Sequence, residues 1–111
     1  MFKIKKRIIV SAAHFLKLDY ASKCTGMHGH NWIIDVYLKS PELDRNGMVM
    51  DFSEIKRRVK NVLDHKVLNE VITVNPTAEN IAFWVSETLG EKCYRVEVQE
   101  SPDNVAVYER D

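Results

Sequence analysis

Two alternating segments, each with an apolar face that ends in histidine, restrict what this chain can become more than any other feature of it. From residue 2 to 15, Phe2, Ile4, Ile8, Val10, Ala12 and His14 share one parity, while Lys3, Lys5 and Arg7 share the other, as in a half-buried strand. From His28 to Lys39, the apolar residues Trp32, Ile34, Val36 and Leu38 continue the parity of His28 and His30, opposite Asp35 and Lys39. A His-x-His pair on a strand sends both imidazoles to one side. If the two strands pair, His14 joins them. Three neutral imidazole nitrogens at ~2.0 Å suit zinc and leave a fourth tetrahedral position for water or substrate, the pattern of a catalytic ion. Taken singly, His14 reads better as a satisfied core histidine and His28-Gly29-His30 as a polar loop; parity, strand-end placement and the nearby cysteine together favour a metal. Neither cysteine forms a Cys-x-x-Cys pair, which disfavours a closed structural site.

The rest of the pattern supplies a frame for these strands. Pro41 and Asn46-Gly47 mark turns. A helix is expected to open at Asp51, with Glu54 closing a capping box and Phe52, Ile55, Val59, Val62 and Leu63 as its buried stripe. A second is announced by Pro76-Thr77, turns Ile81, Trp84, Val85 and Leu89 inward and stops at Gly90. Cys93 to Glu100 and Val105 to Glu109 then read as a hairpin across Ser101-Pro102-Asp103-Asn104. The order strand, strand, helix, helix, strand, strand indicates one α+β domain over residues 1–111. Both helices should cover one face of a four-stranded, mainly antiparallel sheet. Its two open edges make oligomerisation a structural expectation.

Composition narrows the partners. Sixteen basic and sixteen acidic side chains cancel, so no summed positive field exists to hold nucleic acid or an anionic membrane surface. No stretch approaches the ~20 apolar residues of a membrane span. Lys3, Lys5, Lys6 and Arg7 before Ile8, Ile9 and Val10 imitate a signal peptide, but His14 and Lys17 cut the apolar run short and no cleavage site follows. Together with only two cysteines, Cys24 and Cys93, this leads us to expect a soluble, cytoplasmic protein with reduced thiols.

Several further residues could carry chemistry. Cys24 lies four residues before His28, where Lys23 and a nearby metal would both favour the thiolate; the alternative is an ordinary buried thiol. Cys93 opens a strand and is assigned to packing. Asp64-His65 ends the first helix, where the carboxylate can fix the imidazole tautomer, or both residues can simply be a polar helix end. Glu100 has the parity of Tyr94, Val96 and Val98, so an acid closes an apolar face, which is costly unless it is paired or meets donors on a ligand. Glu79 can serve a ligand or the helix dipole. Lys56-Arg57-Arg58 reads as a solvated face, and Trp32 and Trp84 as core.

With these residues identified, the chain resembles the 6-pyruvoyltetrahydropterin synthase and 6-carboxytetrahydropterin synthase family. The likeness is carried by Ser11-Ala12-Ala13-His14, Cys24-x-x-x-His28-Gly29-His30-Asn31, Met50-Asp51-Phe52, Leu63-Asp64-His65-x-x-Leu68-Asn69, Pro76-Thr77-Ala78-Glu79-Asn80 and Val98-Gln99-Glu100. The resemblance implies a tunnelling fold (T-fold) whose subunits close their sheets into a β-barrel, usually as homohexamers. It implies Zn2+ on His14, His28 and His30, proton transfer by Cys24, Asp64 and His65, and a pterin ring anchored by Glu100 with Thr77 and Glu79. In that arrangement Asp64-His65 faces the cysteine of a neighbouring subunit. The implied substrate is 7,8-dihydroneopterin triphosphate.

The short spacing from Cys24 to His28 resembles the 6-carboxytetrahydropterin synthase branch, which releases acetaldehyde and triphosphate and feeds queuosine synthesis. The loop has Thr25-Gly26-Met27 where that branch often places an arginine, which leaves Lys23 for the phosphates. A 6-pyruvoyltetrahydropterin synthase, a related side-chain aldolase and a noncatalytic pterin- or metal-binding protein remain as alternatives.

Overall fold

Alternating polarity produces long strands here. A computed structural model describes residues 1–111, with β1 at Phe2–His14, β2 at His28–Ser40, α1 at Phe52–Arg58, α2 at Lys60–Leu63, α3 at Ala78–Leu89, β3 at Cys93–Ser101 and β4 at Asn104–Glu109. The strands form one sheet in the order β1-β2-β3-β4, every pair antiparallel. At ~3.3 Å per residue, the 13-residue strands β1 and β2 reach about 43 Å, which accounts for a long axis of 51 Å against 27 and 25 Å.

The helices cover one face. Ile8 lies opposite Ile34 and Val10 opposite Trp32, while Ile34 and Val36 meet Val98 and Val96 of β3. Onto these buried side chains pack Ile55, Val59 and Leu63 from the first helical unit and Ile81, Val85 and Leu89 from α3. The first unit breaks at Val59 (φ −112°, ψ −65°), and its buried stripe is the single row Ile55, Val59, Leu63. That row is too narrow to take in Phe52 and Val62, expected inside but exposed. Phe52 instead lies under the Lys6 ammonium. Trp32 is fully buried, whereas Trp84 only packs against the edge of the core.

Caps stop the helices largely where the sequence indicates, with one correction. The Asp51 carboxylate accepts from the Ser53 N–H at 2.8 Å, Thr77 accepts from the Asn80 N–H, and Gly90 ends α3 at φ 92°. Glu54 closes no capping box. Its carboxylate turns to the guanidinium groups of Arg57 and Arg58 at 2.6–3.0 Å, because charge-assisted bonds outcompete a neutral backbone N–H. Those two cations hold its carboxyl at about 2.

A bulge corrects a second expectation. Tyr37 pairs with Arg95 but Leu38 pairs with Cys93, so Tyr94 is an extra residue in β3. Cys93 thereby takes the buried position, and Tyr94 leaves the face of Val96 and Val98 for the open one, beneath Lys39 and Lys3. The open face carries a polar network beside exposed Ile9, Val105 and Val107: Arg7 grips Asp35 at 2.9 and 3.0 Å, Tyr37 donates to Glu97, and Arg95 bridges Glu97 and Glu109.

Asp35 is the buried member of that face. Its hydrogen bonds from Arg7 hold its carboxyl below the ordinary 3.8, against the opposing effect of burial. The folded chain thus takes up this proton less readily than the unfolded chain, so the pair's contribution is complete above pH ~4 and is lost as pH falls through the folded value. Urea denaturation as a function of pH should show stability declining below about pH 4, and Asp35→Asn should flatten that part of the curve while lowering stability at neutral pH.

Candidate metal centre and adjoining clefts

The β1–β2 register sets His14 directly opposite His28 and Ala12 opposite His30, so three imidazoles meet at one end of the sheet. His14 Nε2 lies 3.0 Å from His28 Nε2, and ring centroids within the trio are 4.5–5.2 Å apart. Two rings are anchored from behind: Nδ1 of His14 donates to the Pro76 carbonyl and Nδ1 of His28 to the Gly26 carbonyl, both at 2.8 Å. Donation from Nδ1 leaves Nε2 a lone pair in the neutral ring. Two such lone pairs 3.0 Å apart repel unless a cation lies between them or one ring is protonated. His14 is fully buried, and burial chiefly pushes its pKa down, against the Pro76 carbonyl, which favours the neutral ring that ligates metals.

His30 strengthens the case. Its Nε2 is buried without a hydrogen-bond partner, although Glu100 Oε1 lies 3.1 Å away. One ligand atom each from His14, His28, His30 and Glu100 falls within 4.8 Å of all the others. An orphaned buried nitrogen facing two further imidazoles and a carboxylate fits a divalent transition ion. Trp32 forms the floor, its ring edge-on to His14 and His30 and its indole N–H donating to the Ala12 carbonyl at 3.1 Å.

Glu100 reaches this cluster from a second bulge. Gln99 pairs with Val105 and Ser101 with Asn104, so Glu100 has no partner on β4. It lines two cavities. One, of about 410 Å³, also contains Lys23, Cys24, His28 and His30. The other, about 260 Å³, is shared with Ala78 and Glu79 at the start of α3. Thr77 caps that helix, so its oxygen is engaged by Asn80 while its hydroxyl proton stays available.

Asp64 and His65 stand elsewhere. Asp64 ends α2, and its Oδ1 accepts from the Ser11 N–H at 2.8 Å, which holds its carboxyl below the usual range. The Asp64–His65 side-chain distance is 3.6 Å, too long for a hydrogen bond. His65 is exposed and adopts φ 58°, a left-handed conformation costing a non-glycine residue ~1–2 kcal/mol. It lines an open cavity of about 570 Å³ with Lys66, Ser11 and Asn31. Within one chain, then, Cys24 and His65 belong to different clefts that both touch His30.

Sequence reasoning missed the carbonyls of Pro76 and Gly26 that orient the rings, and Glu100's approach to His30. The carbonyls leave no side-chain signature, although Pro76 lies in a quoted motif. The Glu100 bulge is visible only in the pairing.

Comparison with known proteins agrees with this geometry. The chain matches the family described as 6-pyruvoyl tetrahydropterin synthase over residues 3–111. It is 38% identical over 121 residues to a 6-carboxy-5,6,7,8-tetrahydropterin synthase of Synechocystis sp., covering 97% of this chain and 93% of the relative. It is 39% identical over 93 residues to a dihydroneopterin monophosphate aldolase of Pyrococcus furiosus, covering 78% and 76%. The solved 6-pyruvoyl tetrahydropterin synthase of Caenorhabditis elegans superposes with a TM-score of 0.77 at 28% identity, over 99% of this chain and 96% of that one. Fold, end-to-end sequence match and clustered histidines agree: the chain belongs to the 6-pyruvoyl tetrahydropterin synthase family and has its tunnelling fold.

Proposed function

We propose that this chain is a zinc-dependent 6-carboxy-5,6,7,8-tetrahydropterin synthase, a lyase converting 7,8-dihydroneopterin triphosphate to 6-carboxytetrahydropterin with release of acetaldehyde and triphosphate. The observation that carries the reading is the partnerless His30 Nε2 among converging donors, with Cys24 lining the same cavity. Likeness to the Synechocystis synthase supports a pterin as the substrate class. In this reading the product enters queuosine and other deazapurine synthesis in the cytoplasm, where Cys24 stays reduced.

His14, His28 and His30 would hold the zinc, whose Lewis acidity makes the C–H bonds beside bound side-chain hydroxyls easier to deprotonate. Cys24, which lines the same cavity, would take that proton as the base. Glu100 accepts paired hydrogen bonds from the amino-pyrimidine edge of the pterin, and the Thr77 hydroxyl and Glu79 complete that end. Lys23 faces the phosphates. His65 lines a different cleft from Cys24 in its own chain, and Asp64 and His65 would serve the cleft of a neighbouring subunit in a homohexameric ring. The exposed edges of β1 and β4 are the surfaces through which such a ring would close.

The likeness to the Pyrococcus furiosus aldolase favours a second reading, cleavage of the pterin side chain without the carboxy product. A 6-pyruvoyl product is the third outcome. Mass analysis after incubation with dihydroneopterin triphosphate separates them, and the proposal expects acetaldehyde, triphosphate and the 6-carboxy pterin. Cys24→Ala should abolish turnover with zinc retained. Turnover equal to the parent would assign the cleft a noncatalytic binding role.

Zinc at about 100 times its Kd should raise the Tm by about 10 °C, a gain His28→Ala should lose together with activity. Glu100→Ala should keep the ion and weaken pterin binding by about 1–3 kcal/mol; loss of zinc instead would make Glu100 a fourth ligand.

A further inference from the structure

Beyond β1 the chain continues as Phe15-Leu16-Lys17, and two asparagine side chains occupy one edge of it. Asn69 Oδ1 accepts from the Phe15 N–H at 3.0 Å while its Nδ2 donates to the Phe15 carbonyl at 2.9 Å. Asn75 repeats the pattern two residues on, accepting from the Lys17 N–H at 2.9 Å and donating to the Lys17 carbonyl at 3.1 Å. A carboxamide has the donor and acceptor of a peptide group, so these two side chains act as a neighbouring strand would. Backbone groups of successive residues in an extended chain point to opposite edges. The Leu16 N–H therefore points the other way, and it donates to the Cys24 carbonyl at 2.9 Å.

We propose that Asn69 and Asn75 are positioning residues for Cys24, holding Phe15–Lys17 in register so that Leu16 fixes the thiol's height beside the imidazole cluster. Only one other backbone bond ties Cys24, from its N–H to Ser22 Oγ at 3.1 Å. The short 3-10 turn around it, Lys23–Thr25, has no buried residue. The Leu16 bond thus ties Cys24 itself to the chain leaving β1, while the Gly26 carbonyl at the end of the turn holds the His28 ring. Asn75 carries a second coupling, because its neighbour Pro76 supplies the carbonyl that orients His14 and its own carbonyl accepts from Asn80 Nδ2 and the Thr77 N–H. Asn69 lies in a 3-10 turn, Leu68–Glu70, and Asn75 in the segment before α3.

This inference rests on Cys24 being the reactive thiol proposed above, so its test includes a readout independent of turnover. The zinc-loaded full chain is treated with iodoacetamide, and labelling of Cys24 is followed by peptide mass spectrometry, which separates it from buried Cys93. Asn69→Ala should speed alkylation of Cys24 roughly threefold or more as the loop comes free. It should also lower kcat roughly tenfold or more at unchanged KM and zinc content.

Val85→Ala, in α3 and remote from the loop, is the control for general destabilisation and should leave the alkylation rate at the parent value. Should Asn69→Ala not fold, Asn75→Ala carries the same measurement. Alkylation and kcat equal to the control would overturn the proposal. Altered alkylation in a parent with no synthase turnover would uphold the positioning role and refute the function instead.

Discussion

The pairing register of β1 with β2 is the constraint on which the remaining structure depends. Side chains alternate along a strand with period two, so a one-residue slip would turn His14 away from His28 and move Val10 and Ile8 out of the core in the same step. Burial and the convergence of the imidazoles are therefore fixed by one variable. The hydrophobic residues supply the free energy that holds the register. A substantial core of buried Ile, Leu, Val and Trp side chains resists a slip far more strongly than contacts among three imidazoles do. The indole N–H of Trp32 on the Ala12 carbonyl adds a check across the same two strands, immediately below the histidines.

Around that register the polar groups are arranged to wait for a ligand. Backbone carbonyls hold two rings so that their free nitrogens face inward, and the third ring keeps an unmatched nitrogen in a buried position, a cost ordinary core histidines avoid. Glu100 approaches the three imidazoles from a strand distortion and His65 sits in a strained backbone conformation. Both of these departures from regular backbone set polar side chains at the clefts, where local rules give way to chemistry.

Much of this was legible in the sequence for identifiable reasons. Strands β1 and β2 could be read because a half-buried strand writes its period into polarity, and α3 because Thr77 and Gly90 bracket it. The histidine cluster could be anticipated from parity and strand-end placement, given that β1 and β2 pair. What escaped depends on competition or on pairing between distant segments. Glu54 had two arginines within reach as well as a backbone N–H, and the cations won. Tyr94 and Glu100 sit at bulges, which shift parity without changing composition. Asp64 found the Ser11 N–H, more than fifty positions away, in place of the adjacent imidazole. Phe52 and Val62 fit a helical period but flank a stripe only one row wide.

The segment after α2 also runs alongside β1: the His65 N–H donates to the Ser11 carbonyl, the Ala13 N–H to the Lys66 carbonyl, and Ala13 bridges Val67 in parallel. This short splice seals the distal third of the outer edge and leaves the proximal stretch bare. A foreign strand laid along that margin must stop where the splice begins, at the left-handed turn bearing His65. The imidazole is therefore presented at a seam, beside the tip of whatever chain extends the sheet.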